Sequence, residues 1–378
     1  MHKVSGLKLT VPFHKATPFG FGNLPIENDS QENESFCKNW FKGEIGDRPL
    51  FFTKSCTQSL ELALAVLELP KNSEVIIPSY GFVSLANAVV LNGLKCVFVD
   101  CNPESMNIDP LAIERAISSN TRAVIAINYG GLSCDYDHIL GICRKYKLML
   151  IEDNAHGIGG KFKNTGLGGI GDISTFSFDR LKSITCSEGG AISFGNTTHA
   201  RRFEQISEFG TNRSDYFRGL VPNYEWTRVG TNTNLASPLL GILRAQLEQS
   251  EKIMSTMQKH WARYHSLFST QRNSEKILLP RISEYCAHNG YMFWIKVPSL
   301  EDRNCLIAYL EERGVDARFH YSPLHQSMYG RMVGEFRGHD VNSTSESNRL
   351  IRLPLYYDIT QTQIEFVVQK TVAFFNRA

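Results

Sequence analysis

Residues 74–100 read EVIIPSYGFVSLANAVVLNGLKCVFVD. An apolar run, EVIIPS, is followed by a helical pattern through FVSLANAVVLNG and then by a second apolar run, KCVFVD. Neither run alternates polar with apolar residues, so neither reads as a strand with one wet face. Short continuous apolar runs separated by a helix predict parallel strands buried on both sides.

The same alternation extends outward in both directions. LFFTKS at 50–55 precedes the amphipathic TQSLELALAVLEL. Beyond residue 100 come LAIERAI, TRAVIAIN, a helix through DHILGICRKY, and KLMLIED. This predicts an α/β domain with a mostly parallel sheet. Ligands of such sheets gather at the carboxyl ends of the strands, which directs attention to the polar residues just after each run. Further on, AISFG reads as a strand and HARRFEQISEF as a helix. The aperiodic segment 210–234, GTNRSDYFRGLVPNYEWTRVGTNTN, reads as an ordered loop or contact surface. A helical tract from Leu235 to Phe268 leads into YMFWIKV, NCLIAYLEERG, DARFHYSPLH and a terminal helix through IEFVVQKTVAFF, a smaller α+β unit. The expected division is a large domain at 1–245, with an N-terminal arm, and a small domain at 246–378.

A chain of 378 residues is long enough for two such domains. Its net charge of +2 leaves no basic excess for a nucleic acid backbone, and no stretch approaches the length and apolarity of a membrane span. The start, MHKVSGLKLTVPFHK, lacks an apolar core with a cleavage site, so a cytoplasmic location is expected. The nine cysteines are scattered without a CxxC pair, which predicts reduced, mostly buried thiols and no structural metal.

The residues that can carry chemistry lie after the strands. Asp153 ends KLMLIED, where a carboxylate can pair with a cationic ring nitrogen or simply cap a turn. Twenty-nine residues on, Lys182 lies between two strand-like segments. A lysine in a desolvated site loses its proton more readily than in water and becomes a nucleophile toward aldehydes. The SCTQS turn at 55–59 opens a helix whose free N–H groups suit a phosphate, and Ser177 offers another hydroxyl. A phosphate, a ring that needs a carboxylate and an aldehyde that needs a lysine together describe pyridoxal phosphate. GLGGIG at 166–171 satisfies G-x-G-x-x-G, but the DISTFSF that follows is strand-like, so the dinucleotide reading fails and with it a nicotinamide oxidoreductase.

Asp153-Asn154-Ala155-His156, Ser177-Phe178-x-x-x-Lys182 and Glu188-Gly189-Gly190 resemble the signature of the DegT/StrS-type sugar aminotransferases, with PSYGFVSLANAV, VFVDCNPESMNID and FHYSPLH in the expected order. The resemblance covers nearly the whole chain from about residue 50. It implies a pyridoxal-phosphate enzyme of fold type I, like aspartate aminotransferase, with active sites shared in a homodimer. Lys182 would hold the cofactor covalently and shuttle protons, and Asp153 would pair with the ring nitrogen. His156 would sit beside the ring hydroxyl, and Phe82 would stack on the ring. Thr57, Gln58 and Ser177 would hold the phosphate, with Asn232 reaching it from the neighbouring subunit. His320, Tyr321 and His325 would approach the sugar. For Phe82 a core position, for His156 a turn hydrogen bond and for the two later histidines simple packing are the alternatives. Members that dehydrate sugars carry His in place of this lysine, so Lys182 implies amination.

Stretches such as GTNRSDYFRG, GEFRGHD and RLPLYY are most similar to members that transfer an amino group from L-glutamate, through pyridoxamine phosphate, to C4 of dTDP-4-keto-6-deoxy-D-glucose, giving a 4-amino-4,6-dideoxyhexose for surface polysaccharide such as the lipopolysaccharide O-antigen. Amination at C3, a UDP-linked sugar and a non-catalytic ligand-binding relative remain open. Two departures stand out. The region FGFGNLPIENDSQENESFCKNW is shorter than in relatives, and Leu235-Ala236-Ser237-Pro238 replaces an acid before a helix, with Pro238 as the start signal.

Overall fold

The computed structural model describes residues 11–15, 30–270 and 276–376. Of the segment 19–40, expected to be shorter than in relatives, residues 19–29 lie outside the described residues and residues 30–40 lie in the first helix. The chain after it opens with α1 (Ser30–Ile45), β1 (Leu50–Thr53), α2 (Cys56–Ala65), β2 (Glu74–Pro78), α3 (Ser84–Leu91) and β3 (Lys95–Val99). Then come α4 (Pro110–Ala116), β4 (Thr121–Ile127), α5 (Tyr136–Tyr146) and β5 (Met149–Asn154). The short strands β6 (Lys161–Phe162) and β7 (Thr165–Gly166) lead to β8 (Ile173–Ser177) and β9 (Gly190–Phe194). These strands form a sheet in the order β1-β9-β8-β5-β4-β2-β3, closed at the far edge by β13 (Gly334–Phe336). Neighbours from β8 through β13 pair in parallel, while β9 runs antiparallel to both β8 and β1.

The apolar runs do face two ways. Val75, Ile77, Ala123, Ile125 and Ile151 pack with α2, α3 and α6 (Thr197–Ser207). Ile76, Val124, Ala126 and Leu150 pack against α4 and α5 on the other side. This period of two, with both phases apolar, is why the strands read as continuous runs. At about 25 cal/mol per Å² of apolar surface, burial on both faces is the main stabilising term of this layer.

The segment 210–234 contains one short helix, α7 (Arg213–Phe217), and isolated bridges joining Glu208 to Asn232, Thr211 to Trp226 and Asn234 to Thr53. Phe217, Trp226 and Val229 lie on its exposed surface. The helical tract that follows is two helices, α8 (Ser237–Leu247) and α9 (Ser250–Ser269), with Pro238 in the first turn of α8 as expected.

The smaller unit adds β10 (Cys286–Ala287), β11 (Phe293–Lys296), α10 (Leu300–Glu311), β12 (Arg318–Phe319), α11 (Gly330–Val333), α12 (Ser343–Arg349), β14 (Leu350–Leu353) and α13 (Gln361–Phe375). Its sheet, β11-β14-β12, packs against α9, α10 and α13. Thr360 and Gln363 form a capping box that starts α13.

The expected division at 245/246 falls inside a helix. Residue 245 lies inside α8, whose Leu240, Leu243 and Leu247 pack with Cys37 and Phe41 of the large domain. Ile253 at the start of α9 still packs in that core, and from Met257 on the helix packs with the small unit. The chain also crosses back twice: Val11 of the N-terminal arm pairs with Val315, and β13 joins the large sheet beside β3. A sequence cut cannot represent two domains that exchange segments.

Arg337 fastens β13. Its guanidinium donates 2.9 Å bonds to both Glu74 oxygens and one of 2.7 Å to the Ala116 carbonyl, while Ser118 and Thr121 complete the carboxylate. The bidentate arginine outweighs burial and holds the Glu74 carboxyl down at about 2. A depressed carboxyl stabilises the fold above its ordinary value near 4.5, and the contribution is lost as pH falls toward about 2. Arg337→Met is predicted to cost about 3 kcal/mol at pH 7, because a buried carboxylate loses its partner. It should also flatten the loss of stability between pH 4.5 and 2. Urea denaturation across that range checks both.

Candidate active site

The carboxyl ends of β2, β4, β5 and β8 open into a cavity of about 410 Å³ that also takes in residues of the small domain. Thr57, Phe82, Asp153, His156, Ser177, Lys182, His320 and Tyr321 line it together, although 264 positions separate the first from the last. Gln58 and His325 are not part of the lining. The Gln58 side chain turns back to accept from the Lys54 N–H, and its own N–H donates to Ser55 Oγ as the N-cap bond of α2. Asn232 is exposed on the outer segment, away from this cavity.

Lys182 sits in the loop 178–189 that joins the antiparallel strands β8 and β9. The loop is pinned by Phe178 and Arg180 N–H bonds to Gly189 and Ser187 carbonyls and by Thr185 Oγ1 donating to the Phe178 carbonyl. The glycine pair at its end has a steric reason: a Cβ on Gly190 would lie 2.4 Å from the Ser55 carbonyl carbon and 2.5 Å from the Cys56 nitrogen. Only glycine lets β9 run against the start of α2. This brings Lys182 to the same cavity as the α2 N-terminus. Its Nζ is 3.5 Å from the Tyr291 hydroxyl and 5.3 Å from that ring's centre.

At the α2 N-terminus, Thr57 and Ser84 hydroxyls are 2.8 Å apart, and Ser177 faces them across the cavity. Among the described residues the backbone N–H groups of Cys56 and Thr57 have no protein acceptor. Unpaired helix N–H groups beside three hydroxyls form a seat for a phosphate-sized anion.

Asp153 is buried, with Oδ1 accepting the Ala155 N–H at 2.8 Å. Burial pushes its carboxyl above the ordinary range, opposed by that N–H and by Lys182. A cation placed against it would reverse the shift. Glu152, one residue earlier on the strand, points to the opposite face. There it accepts from Gly168 N (2.6 Å), Ile170 N (3.1 Å), Gly171 N (3.0 Å), Ser174 Oγ (3.2 Å) and Asn128 Nδ2 (3.2 Å). The GLGGIG loop therefore binds a carboxylate of its own chain. Gly168, at φ +103°, is one of the turns that aims these N–H groups inward.

The histidines are neutral donors. His156 Nδ1 accepts the Gly130 N–H at 3.3 Å, which leaves the proton on Nε2, and the ring stacks 4.7 Å from Tyr291. Burial, then Lys182, His320 and Arg352, hold its pKa well below the ordinary value. His320 is depressed in the same way, by burial and then by Arg352 and Lys182. Phe82 is half-exposed at the rim, 6.0 Å from the Tyr321 ring, so it is not a core aromatic.

His325 belongs to a joint between domains. Its Nδ1 is 2.6 Å from Ser79 Oγ, its Nε2 is 3.1 Å from Asp340, and Leu324 N donates to the Ser79 carbonyl. The order Ser-His-Asp resembles a hydrolytic triad, but Ser79 is fully buried and has no approach for a substrate.

Among the polar residues of the lining, Ser84, Asp179, Tyr291 and Arg352 had been given no role. Tyr291 and Arg352 come from strand-like runs of the small domain, where nothing in the local pattern marks them. Ser84 was legible in principle, since it opens α3 just after β2. No helix of the described residues is long and apolar enough to cross a membrane, and no group of His, Cys, Asp or Glu among them is arranged to hold a metal ion.

Comparison with known proteins identifies the scaffold. The model of the DegT/DnrJ/EryC1/StrS aminotransferase family matches residues 31–372, and the chain belongs to that family. An uncharacterized protein of Methanocaldococcus jannaschii is 31% identical over 335 residues, 87% of this chain and 86% of that protein. Among solved structures, the aminotransferase TlmJ of Streptoalloteichus hindustanus superposes with a TM-score of 0.87 at 21% identity, covering 98% of this chain and 99% of that one. A Streptococcus pneumoniae protein solved in its PLP form superposes with a TM-score of 0.81 at 21% identity, covering 93% and 92%. Aminotransferases of this family use pyridoxal phosphate.

Glu152→Gln should cost about 2 kcal/mol, because the amide would turn a donor toward backbone N–H groups that need an acceptor. Thermal unfolding measures it. An unchanged midpoint would mean that the GLGGIG loop does not depend on this carboxylate.

Proposed function

We propose that this chain is a pyridoxal-phosphate sugar aminotransferase that takes the amino group of L-glutamate and delivers it to C4 of dTDP-4-keto-6-deoxy-D-glucose. The observation that carries the reading is the convergence of Lys182, Asp153 and the unpaired N–H groups of α2 on one cavity. Each answers one chemical demand of the cofactor, and no other ligand class needs all three.

The bound cofactor supplies an electron sink for breaking and making bonds at the amine-bearing carbon. The rest falls to the protein. Lys182 would hold the aldehyde carbon and would carry a proton between the two reacting carbons on the side of the ring that it faces. Asp153, destabilised as a buried anion, keeps a ring nitrogen protonated. His156 donates from Nε2 toward the ring hydroxyl. Thr57, Ser84, Ser177 and the α2 N–H groups take the phosphate, while Phe82 covers one face of the ring. The exposed apolar side chains at 209–229 and the outward Asn232 support a homodimer in which a second copy completes the phosphate seat. His320 and Tyr321 would meet the sugar; His325 would act only through the joint it makes with Ser79. The C4 position and the dTDP group rest on the resemblance of the GTNRSDYFRG, GEFRGHD and RLPLYY stretches.

The deciding experiment is a visible absorption titration of cofactor-loaded protein, first with L-glutamate and then with dTDP-4-keto-6-deoxyglucose or its UDP counterpart. The cofactor band should bleach with glutamate and return with the dTDP sugar. Recovery only with the UDP sugar would overturn the nucleotide assignment, and no response to any amino donor would overturn the reading itself. Asp153→Asn should lower turnover by about 10²-fold or more with binding of the cofactor retained, since an amide cannot hold the ring cation. Turnover within a few-fold of the parent would contradict the role of Asp153.

A further inference from the structure

The N-terminal arm at residues 11–15 grips both domains. Val11 is buried in the small-domain core, where its N–H donates to the Gly314 carbonyl at 2.9 Å and its carbonyl accepts the Asp316 N–H at 3.1 Å. Phe13 lies between the guanidiniums of Arg318 and Arg352, each 4.7 Å from its ring centre, and these two arginines face each other across β12 and β14. Lys15 pairs with Asp358 at 3.4 Å. All three side chains hold the small domain. His14 does not: its Nε2 lies 3.2 Å from the carbonyl oxygen of Arg180, in the large-domain loop that carries Lys182.

That carbonyl is one the loop itself does not use. Within the loop, the N–H groups of Phe178, Arg180, Lys182 and Cys186 donate to the carbonyls of Gly189, Ser187, Asp179 and Phe178, and the Leu181 N–H donates to the Asp179 side chain. Those bonds leave out the carbonyls of Arg180 and Leu181, the two that precede the lysine. Both are taken from outside, the first by His14 and the second by the Tyr291 hydroxyl at 3.4 Å. A carbonyl can only accept, so His14 Nε2 carries the proton. Burial, opposed by this bond, holds the His14 pKa below its ordinary value, so the ring donates uncharged near neutral pH. The space left between the arm, Leu181, Ser183 and Tyr291 is about 10 Å³, room for one water at most, so this contact is packing and not a second binding site.

We infer that the N-terminal arm is a strap that sets the Lys182 loop against the small domain, with His14 as the positioning residue, an inference that rests on the pyridoxal-phosphate reading above. Lys182 must meet an aldehyde while Asp153 holds the ring and the start of α2 holds the phosphate, so the main chain beside the lysine has to be fixed closely. Bonds inside the loop fix its shape, whereas His14 and Tyr291 fix where its tip lies. Pyridoxal phosphate gains affinity from its bond to the lysine, and pyridoxamine phosphate, which has no aldehyde, does not. His14 therefore acts on the binding of one form and leaves the other alone.

The test compares the parent with His14→Leu, which removes the donor, and His14→Gln, which keeps an N–H at a similar reach. Equilibrium binding of pyridoxal phosphate and of pyridoxamine phosphate to cofactor-free protein is measured for each. His14→Leu should weaken pyridoxal phosphate about fivefold, the worth of one hydrogen bond, and leave pyridoxamine phosphate within about 1.5-fold, while His14→Gln recovers most of the loss. With no cofactor present, amide hydrogen exchange in the peptide spanning 178–189 should be faster in His14→Leu than in the parent. Equal weakening of both cofactor forms would overturn the inference in favour of general packing, and an unchanged pyridoxal phosphate affinity or unchanged exchange in that peptide would overturn it outright. A parent that binds both forms equally would overturn the cofactor reading instead, and the exchange measurement would still decide the strap.

Discussion

Consecutive residues of a strand must point to opposite faces of the sheet, and at the end of β5 both of those residues are acids. Two buried carboxylates side by side are tolerable only if each is answered differently. Glu152 is answered by backbone: the GLGGIG turn and Asn128 surround it with donors. Asp153 is left with one N–H, the weak donor of the Cys56 thiol and an open cavity, so its charge waits for a cation. The rest of the site is arranged around that demand. Gly190 allows β9 to close on α2, which sets the anion seat on one side of Asp153 and the Lys182 loop on the other.

The small domain contributes by crossing over. β13 is stitched to the large sheet through Arg337 and Glu74, and the 320–326 segment is stitched to Ser79 through His325. Just before the His325 joint, His320 is hydrogen-bonded to Tyr80 and Tyr129, and the Tyr321 ring packs against both. Such a network rigidifies a wall that a loop alone would leave mobile. Burial, with Lys182 and Arg352 close by, holds the pKa of both active-site histidines well below the ordinary value.

Much of this was legible in the sequence. The continuous runs of β2 to β5 gave away a sheet covered on both faces, and the acid, lysine and helix-opening turn after those strands all reached one cavity. GLGGIG was rightly separated from dinucleotide binding by the strand that follows it, yet its service to Glu152 depends on a turn geometry that no local pattern carries. Gln58 and His325 lie outside the cavity lining because motif neighbours on a helix or loop point in different directions. Arg352 and Tyr291 were passed over because one sits in an ordinary strand of the small domain and the other just before one, each more than one hundred residues from Lys182. Only the crossing of the two domains makes them neighbours. Where one core gives way to the next was not legible either, since packing decides that and the helical period runs through α8 and α9 almost unbroken.

The central claim is that Lys182 is the residue that holds the cofactor. Reduction of the cofactor-loaded protein with borohydride, followed by digestion and peptide mass analysis, tests it most directly. The account predicts one pyridoxyl adduct per chain, on the peptide that contains Lys182, and none in Lys182→Ala protein that remains folded. An adduct on another lysine, or a stable cofactor complex with no covalent adduct at all, would contradict it.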